Sequence, residues 1–483
     1  MDVKDRRALL RQTADIAAEF LERLPERPVW PPVDLAALRE ALGGPMPERG
    51  EDPQGLIDAL ARDAEPGIVG TAGPRYFGFV VGGGVPAALA ADWLTSAWDQ
   101  NAGLYALSPA ASVVEEVAAT WLVDLFGLPA GSSVGFVTGA TMANFTAIAA
   151  ARHRVLEAAG WNHEEDGLIG APPIAVVVGD EAHVTIFVSL QMLGLGRARV
   201  HRVAADEQGR MRPDALRETL ARIDGPTIVC AQAGNVNTGA FDLLPEIVAA
   251  VRERPNAWLH IDGAFGLWAA AAPGLRDRID GLDGADSWTT DAHKWLNVPY
   301  DSGIVVVRDA AAHHAAMTLG ASYYIETAGG ERDPYNWVPE SSRRARGFAV
   351  YAALRSLGRT GLADLLGRCC SIARRMADGL RAAEGVTILN DVVLNQVLVR
   401  FEPRGSASGD AEATDAFTRA VIAAVQADGT CWLGGTTWHG MAAMRISVSN
   451  WSTTEADADM SVEAILRCAR TVAEALPATA AGS

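Results

Sequence analysis

The sequence predicts an α/β protein: a mostly parallel, mixed β-sheet flanked by helices, followed by a smaller α+β domain at the C-terminal end. Strand and helix patterns alternate from about residue 130 to 265, and an apolar strand after residue 300 returns along the sheet. From about residue 365 the pattern changes to helices interleaved with short strands. We therefore divide the chain into a helical segment at 1–75, a large domain at 76–365 and a small domain at 366–483.

The composition limits the partners of the chain. Its 483 residues carry a formal net charge of −18, whereas nucleic acid or an anionic membrane surface requires a basic face. The five cysteines form no CxxC pair, which favours reduced core thiols in a cytoplasmic protein, and we predict no metal site. The N-terminus begins with charged residues and has no uninterrupted apolar run, so we predict neither a signal peptide nor a membrane span.

The N-terminal segment contains two different patterns. Apolar residues recur at helical spacing between residues 9 and 24, which predicts an amphipathic helix. Residues 25–55 are rich in proline, glycine and charge, and we expect an extended connection there.

The segment FVTGATMANFTAIAAAR contains the first candidate site. A short strand passes through Gly139 into an alanine-rich helix, so backbone N–H groups at the helix start point at whatever lies in front of them. An anion is the natural occupant, since Thr141 offers a hydroxyl and the small Ala140 permits a close approach. The alternative is a helix that starts at a glycine and holds no ligand.

Three further candidates follow predicted strands. His183 stands at a helix start just past the strand at 174–178, and Asp262 ends the apolar strand AWLHID. A buried acid is costly unless a cation pairs with it. Lys294 follows 32 residues after Asp262, directly after His293. The alternatives are a satisfied structural histidine, a helix-capping or surface acid, and a solvated lysine.

An acid at a strand end and a lysine together suit one cofactor. Pyridoxal 5'-phosphate (PLP) needs a lysine amine for a Schiff base and a carboxylate that keeps its pyridine nitrogen protonated, so that the ring accepts electrons. Asp262 and Lys294 can lie on opposite sides of such a ring.

Four motifs, in order, resemble those of the group II PLP-dependent decarboxylases: FVTGATMANFTAIAAAR, HIDGAFG, DAHKWLNVPYDSG and WVPESSRRARGFAVYAALRSLGRTGL. The match covers the chain from about residue 70 to 465. It implies a fold-type I enzyme that forms a homodimer, with active sites near the interface and the N-terminal helix against the partner subunit. An ordinary capping helix is the alternative for that helix.

The resemblance implies roles for four residues around the cofactor ring. Lys294 is expected to form the Schiff base, and Asp262 to contact the pyridine nitrogen. Ala264 is expected to lie under the ring, and His183 to stack on it and contact the carboxylate of the substrate.

The resemblance also implies groups for the phosphate and for proton transfer. Ala140, Thr141 and His293 fall on positions that contact the phosphate. Tyr323, in a glycine-containing loop, matches the tyrosine that donates a proton to the α-carbon after carbon dioxide leaves. Tyr324 beside it is the competitor, and packing of both tyrosines against the protein is the alternative.

The substrate pocket is the least defined part of the resemblance. We expect Phe79, Leu104 and Tyr105 to line it, and Arg445, on the strand MRISVSN, to bind a substrate carboxylate with its guanidinium group. Core packing is the alternative for the first three, and structural pairing for Arg445, as we expect for the arginines at 343, 344 and 346. Three positions depart from the family pattern: Gly82, Met142 and Val236.

The expected activity is α-decarboxylation of an L-amino acid to the amine and carbon dioxide. Aromatic residues at 76–79 and Tyr105 favour an aromatic substrate, and aliphatic or acidic substrates stay open. One alternative is decarboxylation with oxidative deamination to an aldehyde, which Tyr323 and His183 disfavour. Another is a catalytically silent binding subunit, which has no physical need for both Asp262 and Lys294.

Overall fold

The computed structural model describes residues 3–318, 331–403 and 410–475. The predicted amphipathic helix is present as α1 (Val3–Arg23). The prediction of an extended connection over residues 25–55 is wrong in part, because α2 (Leu35–Leu42) and the start of α3 (Pro53–Ala64) lie in it.

Two aspartates explain this difference. The carboxylate of Asp34 accepts hydrogen bonds from the first free N–H groups of α2, and the carboxylate of Asp52 does the same for α3. Such N-caps stabilise a helix start by about 1 kcal/mol. Proline and charge in this segment thus mark helix starts, not only connections.

The predicted mostly parallel, mixed sheet is confirmed. Its strands are β1 (Ser133–Val137), β2 (Ala175–Gly179), β3 (Val200–Val203), β4 (Thr227–Gln232), β5 (Ala257–Asp262), β6 (Ser287–Asp291) and β7 (Gly303–Val307). Their order in the sheet is β1-β7-β6-β5-β4-β2-β3, and only β7, the returning strand, runs antiparallel to its neighbours. The strands other than the edge strand β3 are mostly buried along their length, and most of them are rich in apolar and β-branched residues.

Further helices precede, separate and follow these strands, and several of them pack on the sheet. In chain order they are α4 (Pro86–Trp98), α5 (Pro109–Phe126), α6 (Ala140–Glu157), α7 (His163–Asp166), α8 (Val184–Met192), α9 (Pro213–Leu220), α10 (Leu244–Arg252), α11 (Ala310–Met317) and α12 (Gly347–Arg381). α6 contacts β5, β6 and β7, and its alanines are almost completely buried there. Small side chains allow this helix to approach the sheet closely.

A second, four-stranded sheet follows. It contains β8 (Val386–Ile388), β9 (Gln396–Phe401), β10 (Gly434–Trp438) and β11 (Met441–Ser447), in the order β10-β11-β9-β8. The helices of this region are α13 (Ala411–Asp428) and α14 (Glu455–Ala475). The five cysteines are free and buried, as the sequence predicted.

The chain divides into two compact units. The first comprises Met1–Val81, Arg375–Leu389 and Leu398–Ser483; the second comprises Gly82–Arg374 and Asn390–Val397. All seven strands of the large sheet belong to the second unit. The domain boundaries at 75/76 and 365/366 stay predictions.

Candidate active site

The candidate residues of the second unit lie where strands of the large sheet end. Asp262 is the last residue of β5, His183 caps the N-terminus of α8 shortly after β2, and Ala140 starts α6 just after β1. Strands β1, β2 and β5 run in the same direction, so their carboxyl ends lie at one edge of the sheet. Ligands of open α/β sheets bind at this edge.

Asp262 is a buried carboxylate surrounded by uncharged donors. It is 4% exposed, and it accepts hydrogen bonds from the side-chain amide of Asn144 (3.2 Å) and from the N–H of Ala264 (3.1 Å). Within the described part of the chain, no Lys or Arg forms an ion pair with it. His260 does not supply the missing charge, because burial lowers its pKa to about 4. A buried carboxylate in this state fits a ligand that brings a cation, such as a protonated pyridine.

The start of α6 is open to an anion. The N-cap residue, Gly139, offers no capping side chain of its own, and the N–H of Ala140 donates a 2.6 Å hydrogen bond to Oδ1 of Asp291, so a carboxylate oxygen already lies at this helix start. Thr141 is half-buried beside it. A Cβ on Gly139 would come within 3.2 Å of the His293 ring, so only glycine leaves this approach unobstructed.

Asp291 is a site residue that sequence reasoning missed. Its Oδ2 lies 3.0 Å from Nζ of Lys294, and its Oδ1 lies 3.5 Å from Nε2 of His293. The carboxylate therefore links the start of α6 to the candidate lysine. The available signal was its place at the end of β6, three residues before Lys294.

His293 and Lys294 are held in a close-packed turn. Nδ1 of His293 accepts a hydrogen bond from the N–H of Ser302 (3.1 Å), and the ring stacks on Tyr300. Burial lowers the pKa of His293. A Cβ on Gly82 would lie only 1.7 Å from the carbonyl oxygen of Lys294, so this departure from the family pattern is required by a close backbone approach.

Lys294 is distinguished in the sequence by the scarcity of lysine. The chain contains 41 lysines and arginines, and only Lys4 and Lys294 are lysines. A lysine at position 294, where nearly every other cation of the chain is an arginine, indicates chemistry that a guanidinium group cannot perform, because an amine can act as a nucleophile once deprotonated.

His183 and Asp262 border the same small cavity. Nδ1 of His183 lies 2.9 Å from Oγ1 of Thr185, which in turn lies 3.3 Å from the amide nitrogen of Asn144. The residue expected on the ring face and the residue expected at the ring nitrogen are therefore joined through Asn144, which sequence reasoning also missed.

The four expected substrate residues are distributed over both units. Leu104 and Tyr105 belong to the second unit and are half-buried, and the N–H of Tyr105 donates to Asp333 (2.8 Å). Phe79, which is 62% exposed and contacts Trp432, belongs to the first unit.

Arg445 also belongs to the first unit, where it lies on β11 and burial lowers its pKa. Tyr323 and Tyr324 lie outside the described residues. The functional roles of all the site residues stay predictions.

PLP fits the groups that the second unit brings together, because it carries a phosphate, a pyridine nitrogen and an aldehyde on one ring. The chain is a PLP-dependent enzyme of fold-type I. More particularly, it belongs to the pyridoxal-dependent decarboxylase family, whose conserved domain matches residues 36–402. It is accordingly a PLP-dependent amino-acid decarboxylase, which is a lyase.

Individual relatives differ in their substrates. An aromatic-L-amino-acid decarboxylase of Bacillus atrophaeus is 27% identical over 417 residues, covering 85% of this chain and 84% of the relative. An L-2,4-diaminobutyrate decarboxylase of Rhizobium meliloti (strain 1021) is 32% identical over 370 residues, covering 75% and 71%. The fold matches the crystal structure of Oryza sativa TDC with PLP and tryptamine, with a TM-score of 0.90 and 23% identity over 98% of this chain and 99% of that one.

None of the helices within residues 3–318, 331–403 and 410–475 combines the length and apolar character needed to span a membrane. The same residues contain no group of three or more His, Cys, Asp or Glu side chains that could hold a metal ion.

Proposed function

We propose that the enzyme removes the α-carboxylate of an L-amino acid and releases the amine, with Lys294, Asp262 and His183 as its central residues. The observation that supports this most is the buried carboxylate of Asp262, which has only uncharged donors among the described residues while a lysine lies on the same sheet edge. A PLP enzyme requires both groups: a lysine amine that holds the cofactor, and a carboxylate that keeps the pyridine nitrogen protonated.

When bound, PLP supplies the aldehyde that takes up an amine and the ring that accepts electrons. Lys294 is the residue whose amine would hold the cofactor covalently until the amino group of the substrate replaces it. Asp262 holds a proton at the pyridine nitrogen, which increases the electron demand of the ring. The imidazole of His183 would pack against the face of the ring and contact the α-carboxylate of the substrate.

The phosphate is bound by the start of α6, where the N–H groups and Thr141 provide donors. His293 adds a neutral ring at the same place, because burial lowers its pKa. Tyr323 donates the proton that replaces carbon dioxide at the α-carbon. A proton delivered there leaves an amine, whereas oxygen reacting at the same carbon leaves an aldehyde.

For the substrate we propose an aromatic L-amino acid. Tyr105, in the same unit as Asp262 and Lys294, supplies aromatic surface, and one of the relatives above decarboxylates aromatic amino acids by name. Another acts by name on L-2,4-diaminobutyrate. The assay therefore uses a panel of aromatic, diamino and acidic amino acids, with carbon dioxide, amine, ammonia and peroxide followed together.

Equal amounts of carbon dioxide and amine from an aromatic amino acid would support the proposal. Ammonia and peroxide in place of the amine would replace it with aldehyde formation. Turnover of only a diamino or acidic amino acid would overturn the substrate class and leave the reaction in place.

The scarcity of lysine permits a direct test of the attachment site. After incubation with PLP and reduction with borohydride, we expect the added mass on the peptide that contains Lys294 and none on the peptide that contains Lys4. Lys4→Arg should retain the modification, and Lys294→Arg should lose it. Modification of Lys4 alone, or of neither lysine, would contradict the proposed role of Lys294.

We also propose that the enzyme is a homodimer. Helices α2 and α3 bury no residue within the chain. Five leucines of the N-terminal helices are at least 50% exposed: Leu10, Leu35, Leu42, Leu56 and Leu60. An exposed apolar surface of this kind indicates a partner.

Leu56→Glu with Leu60→Glu should convert the dimer to a monomer in sedimentation or light-scattering measurements. Met460→Glu, at a 47% exposed position on α14, is the control and should leave the mass unchanged. A dimer that survives the leucine substitutions would contradict this interface.

A further inference from the structure

Asn144 lies at the centre of a buried polar network on α6. Its side chain is completely buried, and it forms four hydrogen bonds to four different residues. The amide nitrogen donates to Oδ2 of Asp262 (3.2 Å) and to Oγ1 of Thr185 (3.3 Å). The amide oxygen accepts from Oγ1 of Thr289 (2.7 Å) and lies 2.9 Å from Nε2 of His260. Both donors and both acceptor positions of the amide are therefore used.

The hydrogen bonds at the amide oxygen of Asn144 fix the orientation of the amide group. Because Nε2 of His260 faces a carbonyl oxygen, it carries the proton and donates. Nδ1 of the same ring then accepts from Oγ of Ser287 at 2.9 Å, and this oxygen accepts in turn from Nε1 of Trp258 at 2.8 Å. His260 is neutral, since burial lowers its pKa to about 4. The network has one consistent direction, from Trp258 towards Asp262.

The two hydrogen bonds that the Asn144 amide donates lead to two residues that are proposed to contact the cofactor ring. One amide hydrogen points to Asp262, the residue proposed at the pyridine nitrogen. The other points to Thr185, whose hydroxyl lies 2.9 Å from Nδ1 of His183, the residue proposed on the ring face. A single planar amide therefore holds the two groups at a fixed separation.

We propose that Asn144 is a positioning residue that aligns Asp262 and His183 for cofactor binding, with His260 and Thr289 orienting its amide. The inference rests on the proposed roles of Asp262 and His183. Its physical basis is that a carboxylate kept in place by a buried, fully satisfied amide loses little freedom when a cation binds to it. Neither an apolar residue nor a carboxylate at position 144 can supply the two donors.

The test compares Asn144→Leu and Asn144→Asp with Asn390→Leu. Asn390 is a buried amide of the same unit that donates to the carbonyls of Thr238 and Gln396, so its loss controls for the general cost of removing a buried amide. Three quantities are measured on each variant: the dissociation constant of PLP by equilibrium dialysis, the pH at which the visible absorption of the bound cofactor changes, and the unfolding midpoint of the cofactor-free protein.

We expect both Asn144 variants to bind PLP about 10- to 100-fold more weakly, because a hydrogen bond to a charged group is lost. The loss should be larger for Asn144→Asp, which places a second carboxylate opposite Asp262. The pH of the absorption change should move by about one unit, while Asn390→Leu changes the unfolding midpoint alone. A PLP dissociation constant and an absorption profile that match those of Asn390→Leu would overturn the proposal.

Two further variants keep the test decisive. If the Asn144 variants do not fold, Thr289→Val removes one donor to the amide oxygen with little change of shape, and the same change of PLP affinity and absorption is expected in weaker form. Asp262→Asn separates the two levels of the argument. If it leaves PLP binding unchanged, the proposed site itself fails; if it weakens binding while the Asn144 and Thr289 variants do not, only the role of Asn144 fails.

Discussion

The ion pair between Glu115 and Arg343 permits a quantitative prediction. The two side chains are 2% and 0% exposed, and Nη1 of Arg343 lies 2.6 Å from Oε1 of Glu115. The same guanidinium group donates to the carbonyls of Ala102 (2.8 Å) and Phe136 (2.6 Å). Arg343 thus fixes both the segment before Leu104 and the strand that leads to the start of α6.

The pair itself contributes little net stability. Burial raises the pKa of Glu115, and Arg343 acts in the opposite direction; the desolvation of two buried charges generally offsets most of their attraction. Breaking such a pair is a different matter, because the remaining charge stays buried without its partner. Glu115 also offsets the charge of Arg332, whose pKa burial lowers to about 10.

We therefore expect Glu115→Gln to reduce the free energy of unfolding by about 3–5 kcal/mol. The measurement is urea denaturation of the wild type and the variant, followed by far-UV circular dichroism. Asp459→Asn is the control, since its ion pair with Arg375 joins two side chains that are 51% and 45% exposed, and it should leave the midpoint unchanged. A loss below about 1 kcal/mol for Glu115→Gln would refute the reasoning, because it would mean that the guanidinium group is solvated without its partner.

Two further predictions concern the site and its surroundings. Gly82→Ala should weaken PLP binding and reduce borohydride labelling of Lys294, because the new Cβ would lie 1.7 Å from the Lys294 carbonyl; Gly84→Ala, where the nearest atom is 3.7 Å away, should leave both unchanged. Stability should fall in acid, because burial lowers the pKa of His260 to about 4 and that of His313 to about 3, from an ordinary value of 6.5. The two histidines therefore bind protons at a higher pH in the unfolded chain than in the folded chain. Their contribution to the free energy of unfolding is complete above about pH 6.5 and is lost as the pH falls towards 4 for His260 and 3 for His313. Between pH 7 and pH 5 the loss is about 2 kcal/mol for each histidine, and urea midpoints that stay constant over this range would contradict it.

The sequence predicted those features that depend on neighbouring residues. Runs of apolar and β-branched residues indicated most strands of the large sheet, and Asp262 could be placed because it directly follows such a run. The prediction failed over residues 25–55, where composition indicated a connection but two capping aspartates start helices.

Asn144 and Asp291 were missed for another reason. Their partners are remote in sequence: the bond from Asn144 to Asp262 spans 118 residues, and the bond from Ala140 to Asp291 spans 151. Neither residue type is unusual at its own position, and only the packing of α6 against β5 and β6 brings the groups together. Local patterns contain no information about such contacts.

The two buried carboxylates of the site, Asp262 and Asp291, have different partners. We therefore predict that replacement of aspartate by asparagine has opposite effects on PLP binding at the two positions. Asp291 has Nζ of Lys294 at 3.0 Å and the N–H of Ala140 at 2.6 Å, where a phosphate is proposed to bind. Asp262 has only uncharged donors among the described residues, so it gains from an incoming cation, whereas Asp291 competes with an incoming anion. Asp262→Asn should therefore raise the dissociation constant of PLP, and Asp291→Asn should lower it, in equilibrium dialysis at one pH and ionic strength. Weaker binding in both variants would show that Asp291 assists the phosphate, and the opposition inferred from its contacts would be wrong.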